Sequence, residues 1–254
     1  MSLSYSPDEM MTIAAARRLR NGAVCFVGIG LPSAACNLAR LTHAPDLVLI
    51  YESGTVGTKP NVLPLSIGDG ELAETARVVI PLPEIFTHYL QRGRVDVGFL
   101  GAAQIDRFGQ LNSTVIGTYD TPTVRLPGAG GAPEIAMHAR EVLVVMKQSA
   151  KAFVERLDFC TSAGRVAALI TDLGVFEPDP ETRELVLVAT YPDVSVAAVQ
   201  SACGWPLRVS AALGAIAGPT EEELSVLRAL HERTKLAHAT RVRVPLGRSI
   251  GQSS

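Results

Sequence analysis

Several signatures that assign a function quickly are missing from this sequence. The cysteines, Cys25, Cys36, Cys160 and Cys203, lie far apart and form no C-x-x-C pair, and the five histidines occur singly, without a second ligand at helical or hairpin spacing. We therefore expect no metal site. The cysteines are expected to serve as small hydrophobic residues of the core.

Long apolar runs and basic stripes are missing as well. The longest apolar stretches are strand-sized, well short of the roughly 20 residues that a membrane-spanning helix needs, and the N-terminus has no basic-then-apolar signal. The 23 Lys and Arg residues are scattered among 25 Asp and Glu, so no surface is rich enough in cations to bind nucleic acid. We expect a soluble, cytoplasmic protein that binds neither membranes nor nucleic acid.

What the chain does contain is typical of a compact enzyme. Its 254 residues are 47% apolar and include 22 glycines and 16 prolines, a composition that suits one large α/β domain with many tight turns. We predict a single domain over residues 1–240 and a weakly ordered tail over 241–254. The expected fold is an open, mostly parallel sheet flanked by helices.

The first fifty residues predict a helix and then a strand-turn-helix-strand unit. Ser6-Pro7-Asp8-Glu9 is a capping box with proline at the first helical position, and this helix should run to Asn21-Gly22. A strand at 23–27, a glycine turn at 28–32, a helix at 33–42 and a strand at 47–51 should follow. Because such a unit places both strand ends at one edge of a parallel sheet, the glycine turn and Glu52 should be neighbours.

The rest of the chain continues this alternation. Further strands are predicted at 78–80, 95–100, 141–146, 167–170 and 185–190, and helices at 84–92, 195–203 and 221–238. Residues 102–133 are predicted as one long, glycine-rich loop. Loops of that length inside compact domains are usually functional.

Glu52 is the leading candidate for the chemistry. It ends the apolar run 47–51 and precedes Ser53-Gly54, which is where ligands bind in open α/β sheets. With a reference pKa of about 4.3, a glutamate is ionised at neutral pH and can attack a carbonyl without a partner base. Backbone N–H groups of a glycine turn can hold the oxygen of a thioester carbonyl during that attack.

The turn Gly28-Ile29-Gly30 allows two other interpretations. With Glu52 about 22 positions beyond Gly30, it imitates a dinucleotide-binding fingerprint, but Ser33 replaces the third glycine and Pro32 enters the turn. Alternatively, the turn merely requires backbone angles that glycine adopts.

Five motifs occur in order along the chain and together resemble a known family. They are Gly28-Ile29-Gly30-Leu31-Pro32, Glu52-Ser53-Gly54, Gly101 to Asp106, Leu111-Asn112-Ser113-Thr114 and Pro127 to Ala132. The combination is similar to the β subunit of class I coenzyme A transferases, of the glutaconate CoA-transferase type. The resemblance runs from about Asp8 to about Trp205.

This resemblance implies a ping-pong CoA transfer through a glutamyl-CoA thioester on Glu52. It implies coenzyme A as a substrate, no permanently bound cofactor, and a separate α subunit that completes the active site. We expect succinyl-CoA as the donor and 3-oxoadipate as the acceptor, with glutaconate or another short dicarboxylate as the alternative acceptor.

The resemblance also assigns roles around Glu52. Gly28-Ile29-Gly30 and Gly130-Gly131 would supply oxyanion donors, and Gln104 and Asn112 would line the pocket. Alternatively, the Asn112 amide only stabilises a turn, and a purely structural role is equally possible for Gln104. Substrate contacts are further expected from Ser53, Gly54 and Arg125, since a guanidinium matches a carboxylate bidentately. Further candidates for the substrate's distal carboxylate are Tyr51, Thr55 and Ser66, and Lys59 is a candidate for a CoA phosphate.

Two alternatives remain open. The chain could be a hydrolase of a CoA thioester or a ring ketone, because water could also discharge a glutamyl thioester. It could also be a non-catalytic ligand-sensing domain of the same architecture. Relative to the family pattern, the segment Thr161–Arg165 is short, so we assign no CoA or substrate contact to this region.

Overall fold

The structure, a computed structural model, describes residues 3–241. The strands are β1 Val24–Phe26, β2 Val48–Ile50, β3 Thr55–Thr58, β4 Val78–Val79, β5 Val97–Leu100, β6 Gln104–Ile105, β7 Leu111–Asn112, β8 Val115–Gly117, β9 Pro122–Arg125, β10 Glu141–Val145, β11 Val166–Ile170, β12 Gly174–Pro178, β13 Leu185–Thr190 and β14 Arg208–Ala215. The helices are α1 Pro7–Ala16, α2 Leu31–Leu41, α3 Gly70–Glu74, α4 Leu82–Glu84, α5 Ala132–His138, α6 Val196–Ser201 and α7 Glu221–Arg241, with a π-helix at Ile85–Leu90. Of the predicted tail 241–254, Arg241 ends α7 and residues 242–254 lie outside the described residues.

A ten-stranded sheet organises the chain, in the order β14-β13-β12-β11-β10-β5-β1-β2-β3-β4. Its centre is parallel throughout, from β11 through β10, β5 and β1 to β2. Antiparallel pairs flank this centre, β2 with β3 and β3 with β4 on one side and β11 with β12 and β12 with β13 on the other. The predicted fold class, an open and mostly parallel sheet flanked by helices, is confirmed.

Both faces of the sheet are covered, and neighbouring residues of a strand point to opposite faces. Cys25 and Leu49 join the cluster under α1, α2 and α7, whereas Phe26 and Ile50 join the cluster that contains the π-helix and α5. This alternation explains why the central strands are almost continuously apolar.

The predicted capping box is present. Ser6 Oγ accepts a hydrogen bond from Glu9 N at 3.2 Å, and Glu9 Oε2 accepts one from Ser6 N at 2.8 Å. The helix ends at Ala16, earlier than predicted, because the chain tightens there: Arg18 N bonds to Ala15 O and Leu19 N to Ala16 O, three residues back.

Several predicted elements differ from the structure. The predicted loop 102–133 contains two hairpins, β6–β7 and β8–β9, and the helix α5 begins at its end. Most of the predicted helix 84–92 is π-helical. Strands β3, β12 and β14 were not predicted, because their glycines, prolines and small residues weaken the strand pattern.

Candidate active site

Glu52 lies in a tight turn between β2 and β3. Tyr51 N donates to Thr55 O at 3.1 Å, and Gly54 N donates to Tyr51 O at 3.0 Å. Gly54 has φ +104°, and a β-carbon there would overlap the carbonyl oxygen of Ile80. The turn therefore requires glycine at position 54, both for its backbone angle and for its approach to the neighbouring chain.

The residue before Glu52 anchors the turn from the other face of the sheet. Tyr51 is fully buried, and its hydroxyl forms a 2.7 Å hydrogen bond with Ser33 Oγ. Ser33 O accepts from Asn37 Nδ2 at 2.9 Å, and Asn37 Oδ1 accepts from Arg40 Nη2 at 3.0 Å. Burial raises the pKa of Tyr51 far above its ordinary value, so the phenol stays protonated. The expectation that Tyr51 meets the substrate is wrong, because its hydroxyl is used within the core.

Two groups lie beside the Glu52 carboxylate. A β-carbon added to Gly131 would be 3.4 Å from Glu52 Oε1 and 2.9 Å from Cζ of Phe86. Phe86 also packs at an angle on Phe26, with ring centroids 6.1 Å apart. The structure thus brings Gly131 to Glu52, as the resemblance implied, and adds Phe86.

Both glycine segments that the resemblance assigns to the oxyanion site contain unused backbone donors. Within residues 3–241, the N–H groups of Gly28, Ile29, Gly30, Gly130 and Gly131 donate no hydrogen bond. The Gly28 turn follows β1, whose end is tied to β2 by a 2.9 Å bond from Val27 N to Ile50 O. The same edge of the sheet therefore presents a carboxylate and N–H groups free to bind an oxygen atom.

The glycine turn does not have the ideal dinucleotide-binding form. Gly30, with φ +83°, caps α2 without a side-chain hydrogen bond, and Pro32 occupies the first turn of that helix. The hydroxyl of Ser33, at the place of the third glycine, bonds to Tyr51.

The amides of Gln104 and Asn112 form a buried hydrogen-bond network with each other and with Asp158. Asn112 Nδ2 donates to Gln104 Oε1 at 2.8 Å and to Val115 O at 2.6 Å, while Asn112 Oδ1 accepts from the N–H groups of Thr114 and Val115. Gln104 Nε2 donates to Asp158 Oδ2 at 2.9 Å. Asn112 has no bonding capacity left for a substrate, so here it ties a turn, and its expected place as a pocket residue is not supported.

The other predicted contacts are distributed around the turn and beyond it. Arg125 lies on β9, donates to Tyr119 O at 3.0 Å and stacks on the Tyr119 ring, so its guanidinium is engaged locally. The hydroxyls of Ser53 and Thr55, on either side of Gly54, are buried and have no partner among the described residues. Lys59 and Ser66 are exposed.

A groove of about 570 Å³ includes Gly30 of the glycine turn in its wall, whereas Glu52 is not part of that wall. Its lining residues are Ser6, Asp8, Glu9, Thr12, Gly30, Leu31, Ala34, Leu63 and His231. Over residues 3–241 no group of three or more His, Cys, Asp or Glu could hold a metal ion, and no helix is long and apolar enough to cross a membrane. Because Glu52 is the predicted reactive group, we place the candidate site there and not at the groove.

The model of the coenzyme A transferase family matches residues 8–202 of this chain. The chain belongs to this family. It is 57% identical to the B subunit of 3-oxoadipate CoA-transferase from Pseudomonas knackmussii, over 92% of this chain and 96% of the relative.

Solved structures agree. Glutaconate CoA-transferase from Acidaminococcus fermentans superposes with a TM-score of 0.83 at 28% identity, over 89% of this chain and 94% of that one. The decarboxylase AibA/AibB gives a TM-score of 0.83 at 30% identity, over 91% and 96%. The sequence-based recognition of the family is confirmed, and the second structure shows that this fold also carries a different reaction.

Phe86 was missed by the sequence analysis. Its segment was predicted as an ordinary helix, in which the direction of each side chain follows a 3.6-residue period. A π-helical turn shifts that phase, and no periodicity in the sequence signals it. The contact between Ile80 and Gly54 could not be predicted from the sequence either, because it depends on how the edge strand pairs.

Proposed function

We propose that this chain is the β subunit of a CoA-transferase that moves CoA from succinyl-CoA to 3-oxoadipate, with Glu52 as the catalytic residue. The 57% identity to the B subunit of a 3-oxoadipate CoA-transferase supports the substrates. The single observation that supports the chemistry is the position of the Glu52 carboxylate in a turn at the strand edge, beside Gly131.

The proposed reaction begins with attack of a Glu52 oxygen on the thioester carbonyl of the donor. A carbon–oxygen bond forms, the carbon–sulfur bond breaks, and CoA leaves as a thiolate. The thiolate then attacks Cδ of Glu52 and releases the donor acid, which leaves a glutamyl-CoA thioester. The acceptor carboxylate takes the reverse route through a second anhydride and restores Glu52, with no net consumption of water.

The backbone supplies the electrostatic part of this proposal. Each attack produces negative charge on a carbonyl oxygen, and preorganised N–H donors stabilise that charge. The donors that we assign are Gly28, Ile29 and Gly30 on one side and Gly130 and Gly131 on the other, since their N–H groups are unused within residues 3–241. Fixed donors of this kind compensate for the modest nucleophilicity of a carboxylate.

The buried hydroxyls of Ser53 and Thr55 are the substrate contacts that we propose next to Glu52. Neither has a hydrogen-bond partner among the described residues, and a buried hydroxyl without a partner costs free energy until a ligand or water satisfies it. Gly54 contributes the shape of the turn, and Gln104 and Arg125, whose side chains bond to Asp158 and Tyr119 here, are kept as further candidates.

An α subunit is part of the proposal. The relative with 57% identity is named as one subunit of its enzyme, and AibA/AibB is a two-chain protein. Glu52 is only partly buried by its own chain, and a second chain would complete the enclosure. Because CoA thioesters are metabolites of the cytoplasm, we propose a cytoplasmic enzyme that takes CoA as a substrate and has no permanently bound cofactor.

The test is to trap the intermediate in the assembled two-chain enzyme. The complex is incubated with succinyl-CoA alone and treated with borohydride, which reduces a glutamyl thioester to an alcohol that mass spectrometry detects at Glu52. Glu52→Ala should abolish the product, and Glu155→Gln, a change at an exposed glutamate, should leave it unchanged. An unmodified Glu52 in a complex that binds succinyl-CoA would refute the proposal.

A further inference from the structure

The ring of Phe86 and the Glu52 carboxylate lie close to the same residue, Gly131. Both flank Gly131: a β-carbon on that glycine would touch the Phe86 ring at 2.9 and 3.0 Å and Glu52 Oε1 at 3.4 Å. The absence of a side chain at Gly131 therefore lets an aromatic ring and a carboxylate approach the same stretch of backbone.

The chain holds Phe86 in this place with an uncommon device. Its segment is a π-helix whose buried ends, Ile85 and Leu90, belong to the core. The wide turn is closed by a 2.9 Å bond from Gln91 N to Phe86 O, five residues back, and another from Arg94 N to Tyr89 O. Such turns occur frequently at functional sites, because they turn one side chain away from the ordinary helical phase.

A glutamyl-CoA thioester has to meet its acceptor acid before it meets water. Water attack would form a bond from water oxygen to Cδ of Glu52, break the carbon–sulfur bond and release CoA as the thiolate, which takes up the proton. Glu52 would be restored and the donor thioester wasted. A transferase therefore needs to keep water away from Cδ while leaving a path for a carboxylate.

Resting on the function proposed above, we infer that Phe86 determines this choice between acceptors. Its ring forms an apolar wall against Glu52 and excludes water from that side of the thioester, so that the bound acid is the nucleophile. Removal of ordered water from a reacting group by an apolar wall is a recognised way to prevent side reactions. Phe86 makes no bond to the reacting atoms, and its role is the selection of the nucleophile.

The experiment compares two rates in the assembled two-chain enzyme: free CoA released from succinyl-CoA without acceptor, and CoA transferred when 3-oxoadipate is present. In Phe86→Ala the ratio of release to transfer should rise by tenfold or more. Phe86→Leu retains apolar bulk, so its ratio should rise less, and it keeps the test valid if the Ala variant does not fold. Phe108→Ala, at an exposed phenylalanine that contacts Arg107, should keep the wild-type ratio.

The outcomes separate this inference from the function on which it rests. If borohydride labels Glu52 but both rates fall together in the Phe86 variants, the ring only supports packing and the inference is wrong. An equal rise in Phe108→Ala also overturns it. If the wild-type enzyme neither labels at Glu52 nor transfers CoA, the proposed function fails and the inference with it.

Discussion

Ile80 N donates a 3.0 Å hydrogen bond to the carbonyl oxygen of Gly54, and so the edge of the sheet is fastened to the turn that carries Glu52. The contact is possible only because Gly54 has no side chain, since a β-carbon would overlap the Ile80 carbonyl oxygen.

Gly54→Ala should therefore destabilise the chain as well as displace the carboxylate. An alanine at φ +104° is strained and collides with backbone, and each effect costs about 1 to 3 kcal/mol. Urea denaturation should show the loss of unfolding free energy, and transfer activity should fall at temperatures where the variant is still folded. Wild-type stability in this variant would contradict the geometry of the turn.

Gly131→Ala tests the contact between Gly131, Phe86 and Glu52. The added methyl group would press on the Phe86 ring at 2.9 Å and reach Glu52 Oε1 at 3.4 Å, so the ring or the carboxylate has to move. Because a displacement of about 1 Å at a reacting group can cost about 10²-fold in rate, we expect a kcat loss of about that size with little change in stability. The matched control is Gly70→Ala, whose β-carbon meets nothing closer than 3.8 Å and which should keep the wild-type kcat.

Tyr51→Phe should affect stability more than catalysis. The change removes the 2.7 Å hydrogen bond to Ser33 Oγ and leaves a buried hydroxyl without its partner, at a cost of about 1 to 3 kcal/mol. Tyr119→Phe, at an exposed ring, should change the unfolding free energy by less than about 0.5 kcal/mol. A Tyr51→Phe enzyme that loses its activity while remaining fully stable would place the phenol in the reaction after all.

The free energy of unfolding at acidic pH should depend on the charge of Glu9. A hydrogen bond from Arg228 lowers the pKa of Glu9 below its ordinary value. A carboxylate with a lowered pKa stabilises the folded state above its unfolded pKa, and this contribution is lost as the pH falls through the folded pKa. Glu9→Gln keeps a residue that can complete the capping box but removes the charge.

We therefore expect Glu9→Gln to be less stable than the wild type at pH 7, and this difference to shrink below about pH 4.5, near the unfolded value. Thermal unfolding at a series of pH values measures it. A difference in stability that stayed constant down to pH 3 would mean that the Glu9 charge contributes nothing.

The sequence predicted the centre of the sheet well, because its strands are short apolar runs with clear ends. The run 47–51 and the turn residues after it were enough to locate Glu52 at the sheet edge, since chain direction in a strand-helix-strand unit is fixed by the fold. The family was also recognisable, from five short motifs in order, and the comparisons confirm it.

The surroundings of Glu52 were less accessible from the sequence. A π-helical turn brings Phe86 to Gly131, which lies beside the carboxylate, and the pairing of the edge strand brings Ile80 to Gly54. Asn112 illustrates a different limit, because an amide in a polar, glycine-rich segment suits a ligand pocket or a turn equally well. In the structure its four hydrogen bonds favour the turn, which the sequence analysis had left open.

Tyr51 and Glu52 are consecutive residues with opposite environments, one buried beneath α2 and the other beside Gly131 on the far side of the sheet. Losing or gaining a single residue in β2 would exchange them, placing a carboxylate in the core and a phenol at the reactive edge. A change of length in β2 therefore displaces both residues at once, whereas a substitution alters one of them. Variants intended to alter the choice of acceptor should keep the length of the segment 48–55 and change the side chains that lie beside Glu52.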